Sequence, residues 1–310
     1  MHRDDVDWKG YWPSCPTPFT EGGERVDFDA LRALLEHYVG CGFHGVLVNG
    51  TVGEWFSQTE GERRAVAETA VDQVAHRMTV VIGCTGYTAS EVVAFGRHAM
   101  SCGADGVEAS APPYSKPFPD EIVQYYRDIS DALDAPLLVY NWPHGTSVDI
   151  DADLFARIVA IDHVVAVKDS TPNAEQFYET VRRVVADARV FGPFMTPRGL
   201  DVLRRSGGDG FIGGGSLFGA PDAAFWEDFW RGDVARCEEH ARRAEALFPR
   251  LWLPGGWAGV HGAYQSELKA AMSMLGQRGG TVRRPRLPVT DQTALAEIRA
   301  ALADSGLLPR

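Results

Sequence analysis

The residue whose type and position most favour chemistry is Lys168, which follows the apolar run Val164-Val165-Ala166-Val167. Lysine occurs only four times against 26 arginines, so a lysine at this point favours a role that arginine cannot fill. A desolvated lysine can lose its proton and become a nucleophilic amine, whereas a guanidinium group stays charged. We therefore interpret Lys168 as a candidate Schiff-base lysine. The alternative is a strand-end lysine whose charged end reaches solvent.

Two further segments place polar groups where they could serve such an amine. Tyr140 ends an apolar run that begins at Pro136, and a phenol there could transfer the protons that imine formation consumes and releases. Thr51 lies in the glycine-rich segment 50–54, whose backbone amides could bind a carboxylate as a nest of donors. The alternatives are a tyrosine whose hydroxyl faces water and a turn that binds no ligand. Glu54 is either a base or, as is common near a helix start, a cap for backbone amides.

The elements that must position these residues alternate along the chain. Short runs rich in valine and isoleucine recur, and each is followed by a stretch of helical period, as in Leu31-Leu34-Leu35-Tyr38. This alternation predicts parallel strands joined by crossover helices, an α/β fold. Eight units favour a closed (β/α)8 TIM barrel over an open sheet of roughly five to seven strands. The predicted strands are 14–19, 45–49, 79–83, 106–110, 136–140, 163–168, 189–191 and 210–213.

The pattern changes after Pro221, where helical stretches follow one another without a strand between them. We expect helices over 233–247, 261–275 and 291–302, with a loop rich in glycine and proline before the last of them. The chain is therefore predicted to consist of a barrel at residues 1–230 and a C-terminal helical region at residues 231–310.

Polar residues gather at one end of the predicted barrel. The working face of a (β/α)8 enzyme is formed by the carboxyl ends of its strands. Lys168, Tyr140 and Thr51 all follow predicted strands, so we expect them at that face. His144, in the loop after Tyr140, is a candidate acid or base. Further candidates for substrate binding at the same rim are Gly50, Val52, Tyr114, Ser170 and Gly213.

Composition excludes several classes of protein and site. The net charge of −12 argues against binding to nucleic acid or to an anionic membrane surface. The five cysteines form no CxxC pair and the histidines no HExxH motif, so we expect neither disulfides nor a metal. The segment 208–213 fits G-x-G-x-x-G but follows a helical stretch, which disfavours a dinucleotide site; a phosphate site near Gly213 stays open. With no apparent leader or long apolar run, a cytoplasmic location is expected.

The residues at these strand ends resemble the dihydrodipicolinate synthase/N-acetylneuraminate lyase family of pyruvate-dependent class I aldolases. The similarity extends over nearly the whole chain, and its motifs are specific in their order and spacing. It implies a (β/α)8 barrel with a C-terminal helical region in a homo-oligomer, usually a tetramer. It also implies that Lys168 is the Schiff-base lysine and Tyr140 the proton-shuttling tyrosine. The matching segments are Thr17-Pro18-Phe19, Gly50-Thr51-Val52-Gly53-Glu54, Pro112-Pro113-Tyr114, Tyr140-Asn141-Trp142-Pro143, Val167-Lys168-Asp169 and Val282-Arg283-Arg284-Pro285.

Three positions of the substrate site depart from the family's pattern. Ser115 stands where the synthases commonly have a second tyrosine, which is supplied to the site of the neighbouring subunit. Val52 replaces the second hydroxyl of the G-[ST]-T-G-E motif, which leaves the backbone amides to hold a substrate carboxylate. Gly145 stands where the synthases have the arginine that binds the carboxylate of aspartate semialdehyde. Losing that charge-assisted, bidentate contact would cost about 2–3 kcal/mol of substrate binding. We therefore expect an enzyme other than an authentic dihydrodipicolinate synthase.

The sequence accordingly predicts a lyase or aldolase that joins or cleaves a carbon–carbon bond through an enamine of Lys168. Its partners would be pyruvate or another 2-oxo acid and an aldehyde, with no cofactor, because the imine itself withdraws electrons. One alternative is a dehydratase of a sugar-derived 2-keto-3-deoxy acid, with His144 as the acid for the departing hydroxide. A second is a non-catalytic, regulatory protein that binds 2-oxo acids. The assembly is expected to be a homo-oligomer, either a tetramer or a dimer.

Overall fold

Eight parallel strands close into a barrel in which each strand lies beside its sequence neighbours and the last strand lies beside the first. The computed structural model describes residues 1–309 of the chain. It confirms the predicted (β/α)8 TIM barrel. The strands are β1 (Gly10–Ser14), β2 (Gly45–Val48), β3 (Thr79–Gly83), β4 (Gly106–Ser110), β5 (Leu137–Asn141), β6 (Val164–Asp169), β7 (Arg189–Phe191) and β8 (Gly210–Gly214).

Helices separate the strands and continue beyond the barrel. Several begin with a side-chain cap: the Thr88 hydroxyl accepts the amide hydrogen of Glu91 in a capping box, and Asp27 caps the first helix in a similar way. The helices are α1 (Phe28–Gly40), α2 (Glu60–Val74), α3 (Ala89–Ser101), α4 (Pro119–Leu133), α5 (Pro143–Thr146), α6 (Ala152–Val159), α7 (Ala174–Val184), α8 (Pro197–Ser206), α9 (Ala220–Arg231), α10 (Val234–Leu251), α11 (Tyr264–Met274) and α12 (Gln292–Asp304).

The first strand was predicted at residues 14–19, and this prediction is wrong. β1 covers Gly10–Ser14 and pairs residue by residue with Gly210–Gly214 of β8. Pro16 and Pro18 carry no amide hydrogen, and two residues apart they face the same side of an extended chain. One such gap is tolerated, since Pro13 lies within β1, but two in succession on one side would leave a neighbouring strand without donors. The pairing of β1 with β2 and β8 ends at Ser14.

The pleat of the strands sorts side chains between the barrel interior and the helix layer. Leu47, Val81 and Leu138 belong to the cluster that fills the interior, whereas Val46 and Val80 pack in the larger cluster beneath the helices. The interior is therefore a packed core.

Helices α10, α11 and α12 follow the barrel without an intervening strand. α10 packs on α8, α9 and α12, and α11 packs on α12. The division of the chain at residues 230 and 231 stays a prediction. No helix within residues 1–309 combines the length and apolar character that crossing a bilayer requires.

Candidate active site

Lys168 and Tyr140 meet at the mouth of the barrel. They are direct partners in the register of β5 and β6, so both side chains leave the sheet at the same height and on the same side. The Lys168 Nζ lies 4.0 Å from the centre of the Tyr140 ring, and each residue is only 7% exposed. Both line a cavity of about 230 Å³. The amine therefore faces the cavity beside the phenol.

Burial sets the protonation of both groups. Burial lowers the pKa of Lys168 by removing water from the ammonium form, although the carboxylate of Glu108 opposes this shift. Burial raises the pKa of Tyr140, and hydrogen bonding to the hydroxyls of Ser170 and Thr51 partly offsets that rise. At neutral pH the site thus favours an unprotonated amine more than water does, next to a phenol that still carries its proton.

The turn after β2 brings Thr51 and Val52 to the same cavity. Asn49 and Glu54, which flank the turn, adopt left-handed backbone conformations with φ of 59° and 56°. The side-chain amide of Asn49 donates to the carbonyl of Arg63 at 2.8 Å and holds the start of the turn against α2. The turn therefore presents its residues beside Lys168 and Tyr140. Gly50 is not among the residues that line the cavity, and it packs between Leu47 and Ser14.

Ser170 and Gly213 line the cavity as well, at the ends of β6 and in β8. Tyr114 does not reach it, because its side chain is 92% exposed and its backbone is held at φ 77°. Tyr114 thus lies outside the cavity that holds Lys168. Its role in substrate binding stays a prediction.

Glu54 is fully buried and makes an ion pair instead of facing the cavity. Lys269 of α11 donates to the Glu54 carboxylate, to the Thr17 carbonyl and to the Thr281 carbonyl, each at 2.7 Å. Lys269 is only 3% exposed. The pair ties the turn after β2 to the C-terminal helices. Neither of the two roles considered from the sequence, base or amide cap, describes this contact.

We expect Lys269→Met to destabilise the fold by about 3–5 kcal/mol, because it leaves the buried Glu54 carboxylate without its cation. Urea denaturation followed by circular dichroism measures the change. The double variant Glu54→Gln/Lys269→Met should recover a large part of the loss. Arg250→Met, which breaks the exposed pair with Asp304, should cost less than about 1 kcal/mol and serves as the control. A loss as small for Lys269→Met would contradict the prediction.

A second cavity of about 460 Å³ adjoins the first and shares the residues Thr51, Trp142, Trp257 and Arg286 with it. His144 and Gly145 line this second cavity, not the one that holds Lys168. The His144 ring lies 6.2 Å from the ring of Trp257. The walls of the second cavity also include the aromatic residues Trp55, Phe56 and Tyr87.

Potential metal ligands cluster away from these cavities. Within residues 1–309 one group brings three ligand atoms within 4.8 Å of one another: Glu68 of α2, His98 of α3 and Cys102, which follows α3. These residues lie in the outer helix layer and do not line the Lys168 cavity.

Comparison with known proteins identifies the family. The model of the dihydrodipicolinate synthetase family matches residues 7–304. The chain belongs to this family. Family members are class I pyruvate-dependent aldolases and lyases, so the chain is an enzyme of this class.

Relatives of the dihydrodipicolinate synthetase family cover almost the whole chain. A DapA-like lyase of Rhizobium meliloti is 32% identical over 287 residues, 92% of each chain. A 4-hydroxy-tetrahydrodipicolinate synthase of Phenylobacterium zucineum is 32% identical over 306 residues, 98% of this chain and 99% of that one. A solved dihydrodipicolinate synthase of Acinetobacter baumannii, complexed with pyruvate, superposes with a TM-score of 0.86 over 98% of this chain and 100% of that one, at 21% identity.

The packing around Gly145 leaves no room for a larger side chain. A Cβ atom on Gly145 would lie 1.9 Å from Cε3 of Trp142, so the Trp142 indole occupies the space that any larger side chain would need. Arginine at this position is incompatible with the present place of Trp142. The second cavity therefore has an aromatic wall beside Gly145.

The sequence interpretation missed several residues of the site. Trp257 and Arg286 come from loops beyond the barrel, and no local pattern placed them near Lys168. Glu108 could have been found, since it is a carboxylate in the middle of the apolar run that forms β4. In a strand of this register, its position also has the parity of residues that face the interior.

Proposed function

We propose that the protein forms an imine between Lys168 and pyruvate or another 2-oxo acid, and uses the resulting enamine to make or cleave a carbon–carbon bond. The observation that carries this proposal is the buried Lys168 amine in the cavity, 4.0 Å from the Tyr140 ring centre. The pyruvate found in the related Acinetobacter baumannii enzyme supports a 2-oxo acid of that size.

The chemistry begins with attack of the neutral Lys168 amine on the ketone carbon of the 2-oxo acid. Tyr140 protonates the carbinolamine oxygen, which leaves as water and gives an iminium. The backbone amides around Thr51 and Val52 bind the carboxylate of the substrate. The iminium withdraws electrons, so a proton at C3 can leave and the enamine forms.

The enamine then reacts with an electrophile from the second cavity, or the reverse reaction releases one. An aldehyde that enters the second cavity contacts the rings of Trp142 and Trp257. These two residues also line the Lys168 cavity, so the aldehyde approaches C3 of the enamine from their side. The missing arginine argues against aspartate semialdehyde as this partner, and hence against an authentic synthase. The assembly proposed with this function is a homo-oligomer, and its size stays a prediction, as does the cytoplasmic location.

Borohydride reduction with pyruvate, followed by peptide mass mapping, tests the proposal. We expect one stable adduct, on the peptide that contains Lys168, because reduction converts the imine into a secondary amine. Lys9, which is exposed and paired with Asp7, should remain unmodified and is the internal control.

Two other results would change the conclusion. An adduct that forms only with a 2-keto-3-deoxy sugar acid would favour the dehydratase, with His144 in the second cavity as its acid. If neither compound gave an adduct, the imine chemistry would be wrong and a regulatory 2-oxo-acid-binding protein would remain.

A further inference from the structure

A carboxyl group lies inside the barrel one layer beneath Lys168. Glu108 of β4 is in register with Leu138 of β5, and Leu138 is in register with Ala166 of β6. Tyr140 and Lys168 follow two positions further along β5 and β6 and therefore face the same side. Neighbouring strands lie about 4.8 Å apart, and only β5 separates β4 from β6. The side chains of Glu108 and Lys168 therefore lie in the same part of the barrel interior.

Hydrogen bonding within residues 1–309 does not account for this carboxyl group. Glu108 is 1% exposed, and its Oε1 atom is buried without a hydrogen bond within residues 1–309. Other positions that face the interior, such as Leu47, Val81 and Leu138, are apolar. A buried, unpaired carboxyl group costs free energy that an apolar side chain would not cost. Retention of such a group directly below a reactive amine favours a role in the reaction.

Glu108 and Lys168 act on each other electrostatically. Burial raises the pKa of Glu108, and the positive charges of Lys168 and Arg63 oppose that rise. Burial lowers the pKa of Lys168, and the negative charge of Glu108 opposes that fall. The two shifts bring the proton affinities of the carboxylate and the amine closer together. The titratable groups around the pair are Arg63 of α2, Cys84 after β3, Tyr125 and Tyr126 of α4, and Tyr140 of β5.

We propose that Glu108 is a positioning residue that accepts the proton Lys168 must lose before it attacks the 2-oxo acid, and that as a carboxylate it then balances the charge of the iminium. The inference rests on the imine chemistry proposed above. Glu108 lies below the cavity and does not line it, so it acts through Lys168 and Tyr140 without touching the substrate.

The protons balance over the cycle. Transfer from the ammonium of Lys168 to the carboxylate gives a neutral amine and a carboxylic acid, with no change of net charge inside the barrel. The amine adds to the ketone, and Tyr140 donates the proton with which the carbinolamine oxygen leaves as water. The carboxylic acid of Glu108 then restores the proton of Tyr140. The step ends with an iminium on Lys168 and a carboxylate on Glu108, so one ion pair has replaced another.

The test follows the rate of borohydride-trapped imine with pyruvate from pH 5.5 to 9 in the wild type and in Glu108→Gln. The negative charge of Glu108 raises the pKa of Lys168, so its removal should lower that pKa. We expect the acidic limb of the rate profile to move to lower pH by about one unit. At the plateau the rate should fall about tenfold, because the proton acceptor and the counter-charge are gone.

A second variant, Glu108→Leu, provides the same test if Glu108→Gln does not fold well. Glu108→Leu matches the apolar neighbours, so its melting temperature should equal or exceed that of the wild type, while the limb moves as in Glu108→Gln. Glu267→Gln is the control: Glu267 is a buried carboxylate of α11 that accepts the His261 amide hydrogen, and its replacement should leave the limb in place.

Three outcomes separate this inference from the function on which it rests. If the wild type traps pyruvate and both Glu108 variants share its acidic limb, Glu108 has no role in the proton balance and the inference is overturned. A loss of equal size at every pH, with no movement of the limb, would also overturn it. If the wild type traps no 2-oxo acid at any pH, the proposed function itself fails.

Discussion

Lys168→Arg is expected to remove activity altogether, with a fall in kcat of at least about four orders of magnitude. Arginine keeps a positive charge in the barrel, but a guanidinium group does not lose its proton near neutral pH and cannot attack a carbonyl. Steady-state turnover of the 2-oxo acid and borohydride trapping measure the loss together. Both should disappear in the variant.

The control for this variant is Lys9→Arg, which makes the same chemical change at an exposed lysine paired with Asp7. Its turnover should equal that of the wild type. Far-ultraviolet circular dichroism should give the same spectrum for Lys168→Arg as for the wild type, because the barrel strands do not depend on the amine. A folded Lys168→Arg variant that still turned over substrate would contradict the mechanism.

Tyr140→Phe has the second largest expected effect, a fall in kcat of about 10²–10³ with a smaller change in KM. The substitution keeps the ring against the Lys168 amine and removes only the hydroxyl that delivers protons. Imine formation should therefore become slow rather than impossible. Single-turnover trapping with pyruvate should show the adduct accumulating over a longer time.

Tyr125→Phe provides a matched comparison for the tyrosine variant. Tyr125 is a buried tyrosine of α4 whose hydroxyl donates to the carbonyl of Ser110, and Tyr125 itself lines neither of the two cavities. Loss of that hydroxyl should change kcat by less than about threefold. Equal losses for the two variants would mean that Tyr140 acts through packing and not through proton transfer.

The two variants examine different parts of one arrangement. The register of β5 and β6 places the amine and the phenol side by side, and the turn after β2 lines the same cavity. In the proposed mechanism these groups act on any 2-oxo acid. The same proposal assigns the choice of the second substrate to the adjoining cavity, where Trp142 fills the space above Gly145.

Much of this arrangement could be predicted from the sequence, because local patterns carry it. Apolar runs of three to six residues followed by helical periods specify buried parallel strands, and their number specified the barrel. Lys168 and Tyr140 each end such a run, and the carboxyl ends of parallel strands share one face. The sequence therefore predicted that Lys168 and Tyr140 lie close together at that face. The first strand was misplaced because an apolar run was read without regard to the amide hydrogens that Pro16 and Pro18 lack.

Other contacts depend on segments far apart in the chain. Lys269 and Glu54 are separated by 215 residues, and neither has a local signal that names the other. The turn that carries Thr51 was visible in the sequence, but its anchoring to α11 was not. For the same reason the sequence did not predict that Trp257 and Arg286 line the cavities.

By itself the sequence determined the barrel and the end of the barrel at which Lys168 and Tyr140 lie, since each follows from periodicity within one strand or helix. The tertiary structure alone decided what surrounds that lysine. The unpaired carboxyl group of Glu108 below it, the ion pair that fixes the neighbouring turn and the aromatic wall of the second cavity all arise from distances between separate elements. Burial and charge act through such distances, and no pattern within a single element records them.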